Sequence, residues 1–95
     1  MSALPPLQAQ VIRNVAGNVA TLRQARDWTQ EQLAERSQLA TRYLQRIERG
    51  QVNISVGVLV QLARALCVPA SRLLRPARLT PARRGRPPRK PTPAG

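Results

Sequence analysis

Residues 29–50 read TQEQLAERSQLATRYLQRIERG. Thr29, followed three residues later by Gln32, has the form of a capping box. In that arrangement the Thr hydroxyl accepts from the backbone N–H of Gln32, and the Gln32 side chain reaches back to Thr29. The pattern predicts a helix that starts at Gln30 and runs to about Arg36, burying Leu33 and Ala34. Ser37-Gln38-Leu39 breaks it. A further helix is expected over about 41–49, closed by Gly50 as a C-terminal glycine. Two short helices separated by a break of about four residues make a tight helix pair.

On a wheel of 100° per residue, Thr41, Arg42, Gln45, Arg46 and Arg49 fall within one arc of about 140°. Leu44, Ile47 and Ala40 fall opposite, with Tyr43 on the border. One face fits a helical core. The other is a run of long cationic and hydrogen-bonding side chains without an acid, which suits a helix lying in the major groove of DNA. Arg donates two bonds to guanine O6 and N7, and Gln pairs with adenine. A merely solvated surface helix also has a polar face, but it ordinarily mixes charge signs. Glu48 falls on the buried side, between Leu44 and Thr41 on the wheel. A buried acid needs a partner; the alternative is a solvated surface Glu.

Working outward, Ser55 is placed to cap a fourth helix whose Leu59, Leu62, Ala63 and Leu66 form one apolar stripe. Pro69 opens a short fifth helix containing Leu73 and Leu74. Upstream, Ile12, Val15, Val19 and Leu22 predict a first helix over about 7–26, with Pro5 and Pro6 just before its start. Gly17 inside it costs roughly 1 kcal/mol relative to Ala. No segment alternates in strand fashion. The expected fold is all-α, a compact five-helix bundle over residues 7–74. Trp28 is expected to cover the end of the first helix rather than to stack on bases, and Cys67 to be a small packed residue rather than a redox sensor. Trp28 and Tyr43 are the only aromatics, so stability should be modest unless dimerisation adds to it.

The chain has 95 residues, with 16 basic and 4 acidic, a formal net charge of +12. All the basic residues but Lys90 are Arg. Such an excess points to a polyanionic partner. Composition shifts at Arg75: residues 75–95 hold 6 of the 9 Pro and 7 of the 16 basic residues, no acid, and only Leu79 as a large apolar residue. This segment is expected to be a disordered basic tail, because it has too little apolar surface to offset its ordering entropy. With no His and the single Cys67, the chain lacks His-based acid–base chemistry and the commonest metal ligand. No metal, cofactor or enzymatic activity is expected. The apolar run Val58-Leu59-Val60 is too short to span a bilayer, and MSALPPLQAQ has neither the charge nor the apolar stretch of a secretory signal. A reduced, cytoplasmic setting on the nucleoid is the expectation.

LRQARDWTQEQLAERS (22–37), YLQRIERGQVN (43–53) and VLVQLARALCVPASRLL (58–74) together resemble the Cro/repressor-type helix-turn-helix family, the xenobiotic-response-element-like regulators. The resemblance implies a lambda-repressor-like fold that binds double-stranded DNA, with the second helix supporting and the third reading bases. It implies base contacts from Thr41, Arg42 and Arg46, with Gln45 close by, and a phosphate contact from Gln30 through side chain or backbone. Tyr43 and Arg49 are assigned to further phosphate contacts. It makes Arg23 the partner of Glu48, and it implies a symmetric homodimer, here through the fourth and fifth helices with Val58, Leu73 and Leu74. Departures from the family pattern are local. Gln38 and Cys67 stand where Gly is usual, and Ile54 where Pro is common. Ala40 replaces a Ser or Thr cap, which makes Thr41 the next candidate to cap and would take it off the base-contact list.

In the tail, Arg84-Gly85-Arg86-Pro87 resembles an AT-hook, a short extended segment that lies in the minor groove of A·T-rich DNA. A non-specific phosphate-binding tail and an inert solubilising tail are the alternatives. The expectation for the whole chain is a repressor that binds a short inverted repeat as a dimer. An antitoxin of a toxin–antitoxin pair and a nucleoid-associated architectural protein are the rivals.

Overall fold

The computed structural model describes residues 4–77, which form five helices. These are α1 (Leu4–Ala25), α2 (Gln30–Ser37), α3 (Thr41–Glu48), α4 (Val56–Leu66) and α5 (Ala70–Leu73). There is no strand among the described residues. α1 begins earlier than its apolar spacing suggests and takes Pro5 and Pro6 into its first turn. The first N–H groups of a helix have no intrahelical acceptor, so proline loses nothing there. The capping box of α2 forms as read: Thr29 Oγ1 accepts from Gln32 N at 3.1 Å, and Gln32 Oε1 accepts from Thr29 N at 2.8 Å. Ser55 Oγ likewise accepts from Val58 N at 3.1 Å.

α3 starts without a side-chain cap. Ala40 is the N-cap residue and is exposed, not on the apolar side. Thr41 is the first residue of the helix and does not take over the capping role. A hydroxyl inside the first turn is poorly aimed at the free N–H groups, whereas one on the residue before it is well aimed.

Four helices end in the same way. After α1, Trp28 N donates to Arg23 O and Asp27 N to Gln24 O. The equivalent pairs are Leu39 to Ala34 with Gln38 to Glu35, Gln51 to Arg46 with Gly50 to Ile47, and Val68 to Ala63 with Cys67 to Arg64. Each is a Schellman motif, which needs one left-handed residue. Those residues are Asp27 (φ 58°), Gln38 (φ 62°), Gly50 (φ 72°) and Cys67 (φ 60°). Replacing Gly therefore leaves the turn between α2 and α3 and the end of α4 unchanged in geometry, at a steric cost from the Cβ. It also explains why Cys67 is exposed and not packed: a left-handed residue beyond a helix end points away from the core.

The core is aliphatic. Val19, Leu33, Leu44, Leu62, Leu66 and Leu73 are fully buried, and Trp28 and Tyr43 pack against them from the side. α1 lies against α3, α4 and α5, while α2 packs on α3 and α4. Leu73 belongs to this core, so it is not available to a second copy as expected; with only four residues, α5 uses its one inward position to close the monomer.

Two buried asparagines on α1 fix the end of the bundle. Asn18 Nδ2 donates to the carbonyls of Leu73 (2.9 Å) and Arg75 (2.8 Å), and Asn14 Oδ1 accepts from Ala77 N at 3.2 Å. The tail residues Arg84, Gly85, Arg86 and Pro87 lie outside the described residues.

Candidate nucleic-acid interface

α3 is eight residues long and strongly two-faced. Leu44 and Ile47 are buried against α1 and α2, which turns the opposite side outward. Arg42, Arg46 and Arg49 are exposed there, with Thr41 and Gln45 half-buried beside them. Arg49 caps the helix end, and Tyr43 sits at the edge, packed partly on the core. None of the three arginines is in an ion pair among the described residues. Their guanidinium groups are free to meet an anion or a base edge.

Glu48, the one acid of α3, is withdrawn from this face. Arg23 Nε donates to its Oε2 at 2.8 Å and Arg23 Nη2 to its Oε1 at 3.0 Å, a bidentate pair with side chains 13% and 5% exposed. Arg23 Nη1 also donates to Trp28 O at 2.8 Å, and Gln30 Nε2 donates to Glu48 Oε1 at 3.0 Å. One buried carboxylate thus ties together the end of α1, the start of α2 and the end of α3. The bond from Gln30 was not legible from sequence, because the wheel of α3 says nothing of what α2 turns toward it. It occupies the Gln30 side chain, while the Gln30 backbone N–H, in the first turn of α2, stays unbonded.

Trp28 lies under the guanidinium of Arg36, 4.2 Å from the ring centroid, with that of Arg26 at 5.9 Å. Its ring is half-buried against the core and covered by cations, a packing role. The asparagine contacts to residues 73–77 were also missed; polar residues at positions 14 and 18 of an amphipathic helix read as a solvated face until the exit of α5 is seen to pass over them.

Residues 19–73 match the family model described as helix-turn-helix. The chain is 40% identical over 67 residues to an uncharacterized HTH-type transcriptional regulator, y4dJ, of Sinorhizobium fredii, spanning 70% of this chain and 87% of that protein. Among solved structures, it is similar to the restriction-modification controller protein C.AhdI of Aeromonas hydrophila (34% identity, TM-score 0.63, covering 65% of this chain and 94% of that one). It is also similar to the hypothetical transcription factor NHTF of Neisseria (32% identity, TM-score 0.68, covering 78% and 80%). Among the described residues no helix is long and apolar enough to cross a membrane.

Proposed function

The chain belongs to the helix-turn-helix family of DNA-binding transcriptional regulators, and from that premise we propose that it is a repressor which binds an inverted-repeat operator as a homodimer. α3 lies in the major groove of each half-site. Arg42 and Arg46 read guanine, Gln45 reads adenine, and Thr41 contacts the neighbouring base edge. The Gln30 backbone N–H, the Tyr43 hydroxyl and Arg49 hold the flanking phosphates and set the register. The tail adds contacts through Arg84, Gly85, Arg86 and Pro87 along an adjacent minor groove. Two copies on a site overlapping a promoter exclude polymerase by occupancy, in the cytoplasm where the DNA is.

The observation that carries this reading is the sorting of charge on α3. Its only acid is neutralised inside by Arg23, and its outward side presents Arg42, Arg46 and Arg49, which form no ion pair among the described residues. Selection of bound DNA from a random library is the test. An enriched inverted repeat, bound about a thousandfold or more tighter than random DNA, is the expected result. Enrichment of no sequence, with nearly equal affinity for all DNA, would replace the repressor with an architectural DNA-binding protein.

A further inference from the structure

The acids of the chain are Asp27, Glu31, Glu35 and Glu48. The first three are exposed on α2 and the turn before it, and Glu48 is closed off by Arg23. α1 and everything from Arg49 to Ala77 therefore carry cations without a single acid. Arg13 is the one that stands where α1 meets the end of α3. Gly50 is the left-handed residue that closes α3, and Arg13 Cγ lies 3.8 Å from the point where a Cβ on Gly50 would stand, with Ala16 Cβ at 3.9 Å. The stem of Arg13 thus packs across the residue that directly follows Arg49, while its head stays in solvent. The head is braced. Arg13 Nη2 donates to Gln10 Oε1 at 3.1 Å, and Gln10 Nε2 donates to Oδ1 of the buried Asn14 at 3.0 Å. These partners are neutral amides, and Arg13 forms no ion pair among the described residues. The guanidinium is oriented without losing its charge.

We propose that Arg13 grips a DNA phosphate at the end of the α3 footprint, a contact made from α1 and outside the helix-turn-helix, with Gln10 as the residue that positions it. A recognition helix touches base edges chiefly with its N-terminal residues. α3 has eight residues and so a length of about 12 Å, close to the width of the major groove, which brings its last turn to the sugar–phosphate wall. Arg13 lies beside that last turn. Its charge also suits the negative end of the α3 dipole, but Arg46 and Arg49 already stand in the last turn and at the cap. Arg13 is a third cation there, free to be spent on an anion. A contact of this kind carries no sequence information; it sets how far α3 enters the groove.

The proposal rests on the DNA-binding reading of the preceding subsection. The test is a titration of the full chain on random-sequence duplex DNA and on the site enriched by selection, at several salt concentrations. The variants are Arg13→Ala, Arg13→Lys, Gln10→Ala and the control Arg64→Ala, which removes the same charge from the exposed side of α4. Arg13→Ala is expected to lower affinity about five- to tenfold near 0.1 M salt, by the same factor on both DNAs, and to flatten the slope of log affinity on log salt by about 0.9 per bound copy. Arg13→Lys keeps most of the slope, because a phosphate accepts a point charge. Gln10→Ala is expected to weaken binding about twofold with the slope unchanged, since the charge remains but is no longer aimed. Arg64→Ala changes both quantities much less than Arg13→Ala. Equal effects of Arg13→Ala and Arg64→Ala would overturn the contact and leave only net charge. A lower melting temperature in Arg13→Ala with unchanged affinity would overturn it in favour of a structural role at the end of α3. A loss confined to the selected site would make Arg13 a base reader and overturn the phosphate assignment. A wild type that binds neither DNA overturns the reading on which the proposal rests.

Discussion

Arg46 stands one turn beyond Arg42 on the exposed side of α3, and neither has an intramolecular partner among the described residues. On the proposed function, replacing either by Ala removes a bidentate base contact, and it breaks no ion pair among the described residues. Each change is expected to cost about 1–3 kcal/mol on the operator and to relax selection at one base pair per half-site. Binding titrations on operator and random DNA check this; an equal loss on both would mean that the side chain meets phosphate only. Gln38 and Cys67 make the opposite kind of prediction. Both hold left-handed backbone at a Schellman turn with a Cβ in place. Gln38→Gly and Cys67→Gly are each expected to stabilise the fold by roughly 1 kcal/mol, because glycine adopts this conformation without steric cost. Urea melts measure it, and lower stability in both variants would show that the side chains contribute more than the strain removes.

At the scale of elements, the Arg23–Glu48 pair decides how α3 is set on α1. Removing Arg23 leaves a carboxylate that is 5% exposed with only the Gln30 amide beside it. The loss for Arg23→Ala is expected to fall toward the lower end of the roughly 3–5 kcal/mol seen when one half of a buried pair is broken, since Gln30 still donates to it. Replacing both Arg23 and Glu48 is expected to cost less than Arg23→Ala alone. Denaturant melts of the two single variants and the double variant test this, and strictly additive losses would show that the two groups are not coupled. Much of this element was legible in the sequence. The wheel turned Glu48 inward and Arg42 and Arg46 outward because a helix that buries Leu44 and Ile47 has no freedom in where its other residues point. The capping box of α2 and the Ser55 cap were legible for the same reason: both depend on residues three apart in the chain. What was not legible depends on distant backbone. The bond from Gln30 to Glu48, the grip of Asn14 and Asn18 on residues 73–77, and the enclosure of Leu73 all require knowing which helix ends meet. The early start of α1 was hidden by Pro5 and Pro6, which mark a helix boundary only to within its first turn.

For the whole molecule, the domain and the tail divide the charge between them. Residues 78–95 carry six of the basic residues and no acid. Truncation after Ala77 keeps the bonds from Asn14 and Asn18 to the chain end, so it removes charge without opening the bundle. The truncated chain is therefore expected to melt with the full chain and to bind DNA more weakly. Each phosphate that is no longer neutralised flattens the dependence of log affinity on log salt by about 0.9, so removing all six tail cations changes the slope by up to about 5. The chemistry of Arg84-Gly85-Arg86-Pro87 adds a second discriminating arm. If these residues enter a minor groove, the loss is larger on operators flanked by A·T-rich DNA, where the groove is narrow and its potential most negative, and Arg86→Ala reproduces most of that difference. If the tail meets phosphates alone, affinity falls by the same factor on A·T-rich and G·C-rich flanks and Arg86→Ala costs no more than any other single arginine. Titrations on both flanks at several salt concentrations distinguish these outcomes. An unchanged affinity at low salt on either flank would remove the tail from the DNA interface and leave the whole of the binding to the helical domain.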